Sequence, residues 1–391
     1  MDLDNMYQFM RRLISVSGLI LLLILPAVAD TYNFVLMTDE NYVIPTAVAV
    51  QSLKESRCEG DYNVIIFTKG ICKSSQQALL QMQDEYVRIY LIDLLAEEWK
   101  TMPCIDGCQI NLMERANEIQ SKDWSELVNL RLLFPDIWAS KLLPTDIRNI
   151  DTFVWLDSDL IVKKDLSYLF VSCRATGQFI VGANLFFLEF GGVGYVPSNC
   201  IKSALFKQVG DGYARISGGV VFYNIREIVK CFKEKGQNEW MVLFEELKSQ
   251  RGENPEEEVV FDEFLRQQDL VYFFEPQYNA CPDSQIRTRY LWYWSEHLRD
   301  ENLKCNSFIF VIKNGNPVAY SGTEWTIECM NELIDGNVNV WHWDCCRKPW
   351  YYKYIGLRAN NTPEVLWYRL FQATTFKDRP LALLRQGDED I

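Results

Sequence analysis

The chain has 391 residues, 48% of them apolar and 24% charged, enough to bury a sizeable core and ordinary for a folded globular protein. A formal charge of −14 argues against nucleic acid as a partner, because phosphate binding needs lysine and arginine in excess. All twelve cysteines lie beyond Ala29, and His297 and His342 are the only histidines.

The first thirty residues read as a targeting segment. Arg11-Arg12 precedes an apolar run from Leu13 to Leu25, and Pro26-Ala27-Val28-Ala29 adds a helix breaker and a small-x-small cleavage pattern. Residues 1–29 are therefore expected to be a signal peptide, with an uncleaved signal anchor as the alternative. Either directs residues 30–391 into the secretory-pathway lumen (ER or Golgi) or out of the cell. An even cysteine count behind such a segment fits several disulfides. The run Cys104-Ile105-Asp106-Gly107-Cys108 has no second matching pair, so a local or longer-range disulfide is a better reading than half a zinc site. Asn360-Asn361-Thr362 is a glycosylation sequon.

Strands and helices then alternate. Tyr32 to Thr38 is a β-rich run, and Pro45 to Ser56 a helix with proline in its first turn. Tyr62 to Thr68 is a strand, Ser74 to Gln83 a helix, and Val87 to Ile92 a third strand. Ser125 to Trp138 is an apolar helix, followed by buried strands at Thr152 to Leu156, Phe179 to Ala183 and Gly219 to Tyr223. This order predicts an α/β fold with a central mixed sheet flanked by helices, in one domain. Gly191 to Gly194 marks a flexible loop. Arg251 to Glu258, with five charges and Pro255, is expected to be a mobile acidic surface loop.

Chemistry concentrates in two places. Asp157-Ser158-Asp159 stands directly after the apolar strand, so two carboxylates at a strand mouth can share a hard divalent cation, Mn²⁺ or Mg²⁺, that keeps positions for diphosphate oxygens. His342 could supply a third ligand, and Lys348, ahead of Pro349-Trp350, could neutralise diphosphate charge. By itself Asp-x-Asp is a weak signal, and a lone histidine is more often a hydrogen-bonded core residue.

Together these motifs resemble glycosyltransferase family 8, in order over most of the chain after residue 32. The resemblance implies a GT-A fold, a UDP-linked sugar donor, Mn²⁺ and stereochemical retention, with a glycan, glycoprotein or glycolipid acceptor. Thr38-Asp39-Glu40-Asn41-Tyr42 resembles the loop that holds the uridine, and Asn129 to Pro135 the helix whose arginine, here Arg131, approaches the diphosphate. Asp157 and Asp159 match the family's Asp-x-Asp, His342 its third metal ligand, and Lys348-Pro349-Trp350 its closing motif. Ser158, Ser217, Gly218 and Cys345 fall among the donor contacts. Asp262 and Glu263 loosely match a catalytic acidic segment, although Glu263 reads equally well as a helix-surface residue.

The sequence departs from the family at Cys345, where glycine is usual, at Ser217, where asparagine is usual, and near Phe186, where an aspartate is expected. These departures leave the transferred sugar open. Residues 346–391 form a basic, aromatic extension: from Cys346 to Gln386, eight basic and two acidic residues give a net +6. Such a stretch suits peripheral membrane contact or an anionic acceptor, against the plainer reading that its aromatics pack on the domain. Two other functions fit parts of the pattern: a haloacid-dehalogenase-type phosphatase with Asp157 as phosphoryl acceptor, and a catalytically silent carbohydrate-binding member of the same fold.

Overall fold

The computed structural model describes residues 30–120, 126–176, 179–185, 215–266, 272–274, 309–313, 316–320, 338–343, 348–351, 363–379 and 381. The targeting segment, the 191–194 loop and the sequon lie outside the described residues.

Strand β1 (Thr31–Asp39) is an unbroken apolar run because it is covered on both faces. Its side chains alternate accordingly: Phe34 and Leu36 join one core cluster, Val35 and Met37 the other. Helix α1 (Val43–Ser56), strand β2 (Asp61–Lys69), helix α2 (Lys73–Leu80) and strand β3 (Val87–Asp93) follow. β1 runs parallel to β2, and β2 to β3. A short hairpin, β4 (Met102–Pro103) and β5 (Gln109–Ile110), leads to helix α3 (Leu112–Glu118).

Helix α4 (Glu126–Ala139) is buried along nearly its whole length, which explains an apolar stretch too continuous to be amphipathic. After the single-turn α5 (Thr145–Arg148), strand β6 (Phe153–Leu156) enters the sheet on the other side of β1, again parallel. Strand β7 (Leu160–Val162), helix α6 (Ser167–Thr176), strand β8 (Ile180–Leu185) and strand β9 (Arg215–Tyr223) come next. β9 is antiparallel to both β6 and β8, which makes the sheet mixed, as expected.

Three helices pack beyond β9. Helix α7 (Ile225–Lys235) stops at Gly236, whose φ of 72° is the left-handed cap that glycine adopts without strain. Helix α8 (Glu239–Arg251) is capped by Asn238, whose side chain accepts from the amides of Trp240 and Met241. Helix α9 (Glu257–Arg266) then starts within the stretch expected to be a surface loop. That expectation is corrected: α8 extends to Arg251, only a short connection separates the helices, and Glu257 is buried. Its partner, described below, is remote in sequence, so charge content alone misread it.

Among the described residues, strands β10 (Tyr272–Phe274), β11 (Ile309–Lys313) and β12 (Asn316–Tyr320) complete a nine-stranded sheet of order β12-β11-β10-β8-β9-β6-β1-β2-β3. Strand β13 (Val340–His342) stands outside this sheet and pairs antiparallel with β7. Helix α10 (Pro363–Ala373) packs on α1.

Most of the C-terminal aromatics whose burial is described face inward, Tyr368 being exposed. Trp350, Trp367 and Phe371 are buried in the same cluster as Phe34, with Trp367 and Phe371 stacked at 5.8 Å. Tyr352, Lys353, Tyr354 and Arg358 lie outside the described residues, and among those described no helix is long and apolar enough to cross a membrane. Truncating the fully buried Trp367 to alanine is expected to destabilise the fold by about 3–5 kcal/mol in urea titration, the usual cost of an emptied aromatic site.

Candidate active site

The sheet order places the site. From β1 the chain winds outward through β2 and β3, then returns to put β6 on the opposite side of β1. The carboxyl ends of β1 and β6 therefore diverge into a crevice at a topological switch point, where open α/β sheets bind ligands. The Thr38 to Tyr42 loop leaves β1 there, and Asp157 to Asp159 leave β6 there.

The β1 loop is a compact turn. The Asp39 carboxylate accepts the backbone amides of Asn41 and Tyr42, each at 2.9 Å, and Thr38 is buried. Tyr42 meets Trp350 edge-on, with ring centroids 6.0 Å apart. Ser158, between the two aspartates, faces the protein interior: its hydroxyl donates to the Met37 carbonyl at 2.7 Å and lies 2.9 Å from the Thr46 hydroxyl. With Ser158 anchored inward, the neighbouring carboxylates are presented together.

His342 arrives from 183 residues downstream of Asp159, carried by the β13–β7 ladder in which it pairs with Leu160. The Trp343 amide donates to the Asp159 carbonyl at 3.0 Å and locks this register. His342 Nε2 then lies 3.2 Å from Asp159 Oδ1 and 3.6 Å from Asp157 Oδ2. One ligand atom from each of Asp157, Asp159 and His342 falls within 4.8 Å of the others. Two carboxylates and an imidazole, half-buried to buried, are a donor set that suits a divalent ion such as Mn²⁺ or Mg²⁺. The trio expected from sequence is thus brought together.

Two glycines make this convergence sterically feasible. A Cβ at Gly219 would stand 2.2 Å from His342 Cε1, and one at Gly218 would stand 1.9 Å from an Arg131 nitrogen. The Gly219 carbonyl accepts the Asp157 amide at 3.0 Å, so the same strand also fixes the start of the acidic segment. Close approach to two functional side chains, rather than a turn, explains these glycines.

Cations flank the trio. Lys348 Nζ donates to Asp159 Oδ2 at 2.5 Å and to the Trp343 carbonyl at 2.8 Å. Arg131, buried on α4, pairs with Asp157 and with Glu257 Oε1, the latter at 2.9 Å, and stacks 4.7 Å over the Trp155 ring. Trp155 Nε1 donates to Asp157 Oδ1 at 2.9 Å. Burial alone would raise the Asp159 carboxyl, but Lys348 and His342 outweigh it and hold the group well below the usual carboxylate range. Burial likewise works against a charged Arg131, and the carboxylates of Asp157 and Glu257 reverse the direction.

Glu257 and Glu258 are the site carboxylates that sequence reasoning missed. Glu258 Oε1 accepts the Gly218 amide at 2.6 Å, next to Arg131. Glu263 is half-buried further along α9, and the side chains of Asp262 and Ser217 and all of Cys345 lie outside the described residues. No local signal marks Glu257 and Glu258, because the arginine opposite lies 126 positions earlier in the chain.

Burial pushes Glu257 up to about 8, with Arg131 opposing and Glu258 adding. Its folded-state value exceeds the ordinary 4.5, so its stabilising contribution is fully present below that value and is lost as pH rises through about 8. Glu257→Gln is therefore expected to flatten the decline of the urea midpoint between about pH 5 and pH 8.

Comparison with known proteins agrees with this geometry. Residues 33–181 match the sequence profile of Glycosyl transferase family 8. A lipopolysaccharide 1,2-glucosyltransferase of Escherichia coli is 25% identical over 143 residues, 36% of this chain and only 34% of the relative's own length. Among solved structures, the bifunctional glycosyltransferase WbbM superposes with a TM-score of 0.56 at 13% identity, over 92% of this chain and 52% of its own. An active-site mutant of LgtC superposes with a TM-score of 0.52 at 15% identity, over 88% of this chain and 96% of its own. The structural likenesses show the architecture, and the profile match extends over residues 33–181. Residues 33–181 are thus similar to glycosyl transferase family 8, in a chain built on the GT-A fold.

Proposed function

We propose that this chain is a metal-dependent, retaining glycosyltransferase that moves a hexose or pentose from a UDP-linked sugar to a hydroxyl of a glycan, glycoprotein or glycolipid in the secretory lumen. One observation carries the reading: Asp157, Asp159 and His342 converge within 4.8 Å at the switch point of the sheet, between the cations Arg131 and Lys348. The phosphatase alternative needs Asp157 as a free nucleophile, and its Oδ1 is instead engaged by Trp155 and Arg131.

Asp157, Asp159 and His342 would hold Mn²⁺, or Mg²⁺ in its place. The ion supplies Lewis-acid stabilisation of the departing nucleoside diphosphate. Arg131 orients the Asp157 carboxylate. Lys348, now neutralising Asp159, becomes available to the diphosphate once that carboxylate is otherwise neutralised, adding preorganised positive charge where charge develops. The Thr38 to Tyr42 loop lies at the mouth of the same crevice and offers a phenol and backbone groups to the base. Glu257 pairs with Arg131 and Glu258 accepts the Gly218 amide, so the two carboxylates hold the far side of Arg131 and the glycine strand in place. The acceptor hydroxyl attacks on the face the leaving group vacates, which gives retention.

Thermal shift across UDP, UDP-sugars and GDP-sugars, with and without Mn²⁺, tests the proposal. A UDP-sugar is expected to raise the melting temperature only with the cation, and to release UDP on addition of an acceptor. The same shift without any divalent ion would sink the metal assignment.

A further inference from the structure

The β4–β5 hairpin carries two cysteines that the proposed chemistry does not use. Cys104 directly follows Pro103 and Cys108 directly precedes Gln109, the last paired residues, and the Cys104 amide donates to the Cys108 carbonyl at 2.9 Å. The two cysteines continue the register in which Met102 faces Ile110 and Pro103 faces Gln109, and residues opposite each other in antiparallel strands hold their Cα atoms about 4.5–5.5 Å apart. Disulfides span Cα separations of about 4.4–6.8 Å. The two sulfurs and an Asp106 oxygen all lie within 4.8 Å of one another.

The turn between the cysteines is set by its own residues. Gly107 adopts a φ of 85°, and Asp106 Oδ1 accepts the Cys108 amide at 2.9 Å. The turn is also tied to the domain. Buried Asp136 of α4 accepts the Ile105 amide at 2.8 Å and an Asn238 side-chain N–H at 2.6 Å. The geometry that presents the sulfurs to each other is therefore fixed before any bond forms between them.

We infer that Cys104 and Cys108 form a redox-sensitive disulfide that closes the β4–β5 turn, which Asp136 of α4, the helix that carries Arg131, holds in place. The oxidant is a low-molecular-weight disulfide such as oxidised glutathione. Exposed Cys108, as its thiolate, attacks one sulfur of that disulfide and expels a first glutathione thiolate. Cys104 then attacks the Cys108 sulfur and expels the second. Both thiol protons end on glutathione, and two electrons pass to it.

The surroundings favour the oxidised form. Burial, then the charge of Asp136, pushes the Cys104 thiol up, and Asp106 raises Cys108. Reduced cysteines gain their main stabilisation as thiolates, and this acidic corner withholds it. A metal bridge is the competing use of the same atoms. It would have to recruit a fourth donor, and no third cysteine or histidine joins the cluster among the described residues.

Peptide mapping tests the inference without reference to sugar transfer. Lys100 and Arg115 bound a tryptic peptide, residues 101–115, that contains only these two cysteines. After incubation of the intact protein with oxidised glutathione and blocking with iodoacetamide, that peptide is expected to carry no alkyl group and to be two hydrogens lighter. Reduction before blocking should add two alkyl groups and lower the melting temperature by a few degrees. The double variant Cys104→Ser/Cys108→Ser should lose that reductant-dependent shift while remaining folded. Alkylation of both cysteines without reduction would overturn the inference. So would cross-linking of the peptide to a different cysteine, or alkylation only after a chelator has released zinc.

Discussion

Asp159→Asn is expected to lower turnover of the nucleotide-sugar donor by about 100- to 1000-fold, the range seen when one preorganised electrostatic group is removed. Both oxygens of Asp159 are engaged: His342 lies 3.2 Å from one and Lys348 2.5 Å from the other. The amide keeps the shape but supplies no charge to a cation and leaves Lys348 without its counterion. Steady-state kinetics over a Mn²⁺ titration checks this, with circular dichroism as the folding control. Near wild-type turnover with Mn²⁺ present would refute the assignment of Asp159.

Gly219→Ala is expected to weaken Mn²⁺ binding by about 10- to 100-fold, the effect typical of disturbing the groups that orient a metal ligand. The added methyl would stand 2.2 Å from His342 Cε1 and 2.5 Å from Nδ1. The ring has little room to yield, because His342 is buried and its backbone is paired with Leu160. Overpacking should also destabilise the fold by about 1–3 kcal/mol. Isothermal titration with Mn²⁺ and urea unfolding separate the two effects. Gly218→Ala is the informative comparison, since its methyl meets Arg131 instead. It should impair diphosphate binding more than cation binding, and an identical profile for the two variants would argue against distinct roles.

Much of the fold was legible because its strongest signals are local. β1 and β6 are covered on both faces, so each appears as an apolar run with its polar residues gathered at the carboxyl end. That arrangement pointed directly to Asp157 and Asp159. His342 was legible only in company with Lys348, Pro349 and Trp350, because an isolated histidine carries no such information.

Glu257 and Glu258 were not legible, for a physical reason. A proline and five charges in eight residues look solvated, and what permits burial of Glu257 is an arginine 126 positions earlier in the chain. Pairing at that separation leaves no periodic trace. The aromatic C-terminal segment left two readings open, because composition alone does not separate them. Trp350 and Trp367 face each other at 5.6 Å inside the core, and an inward-facing aromatic stripe has the same composition as a lipid-facing one.

The β13–β7 ladder has a consequence for biosynthesis. Asp157 and Asp159 leave the ribosome early, but the imidazole that completes their trio belongs to a segment added 183 residues after Asp159. A nascent chain can fold its first parallel strands and still have nothing with which to grip a cation fully. Supplying residues 338–351 as a separate peptide to a fragment ending before them would show whether that last step is simple docking.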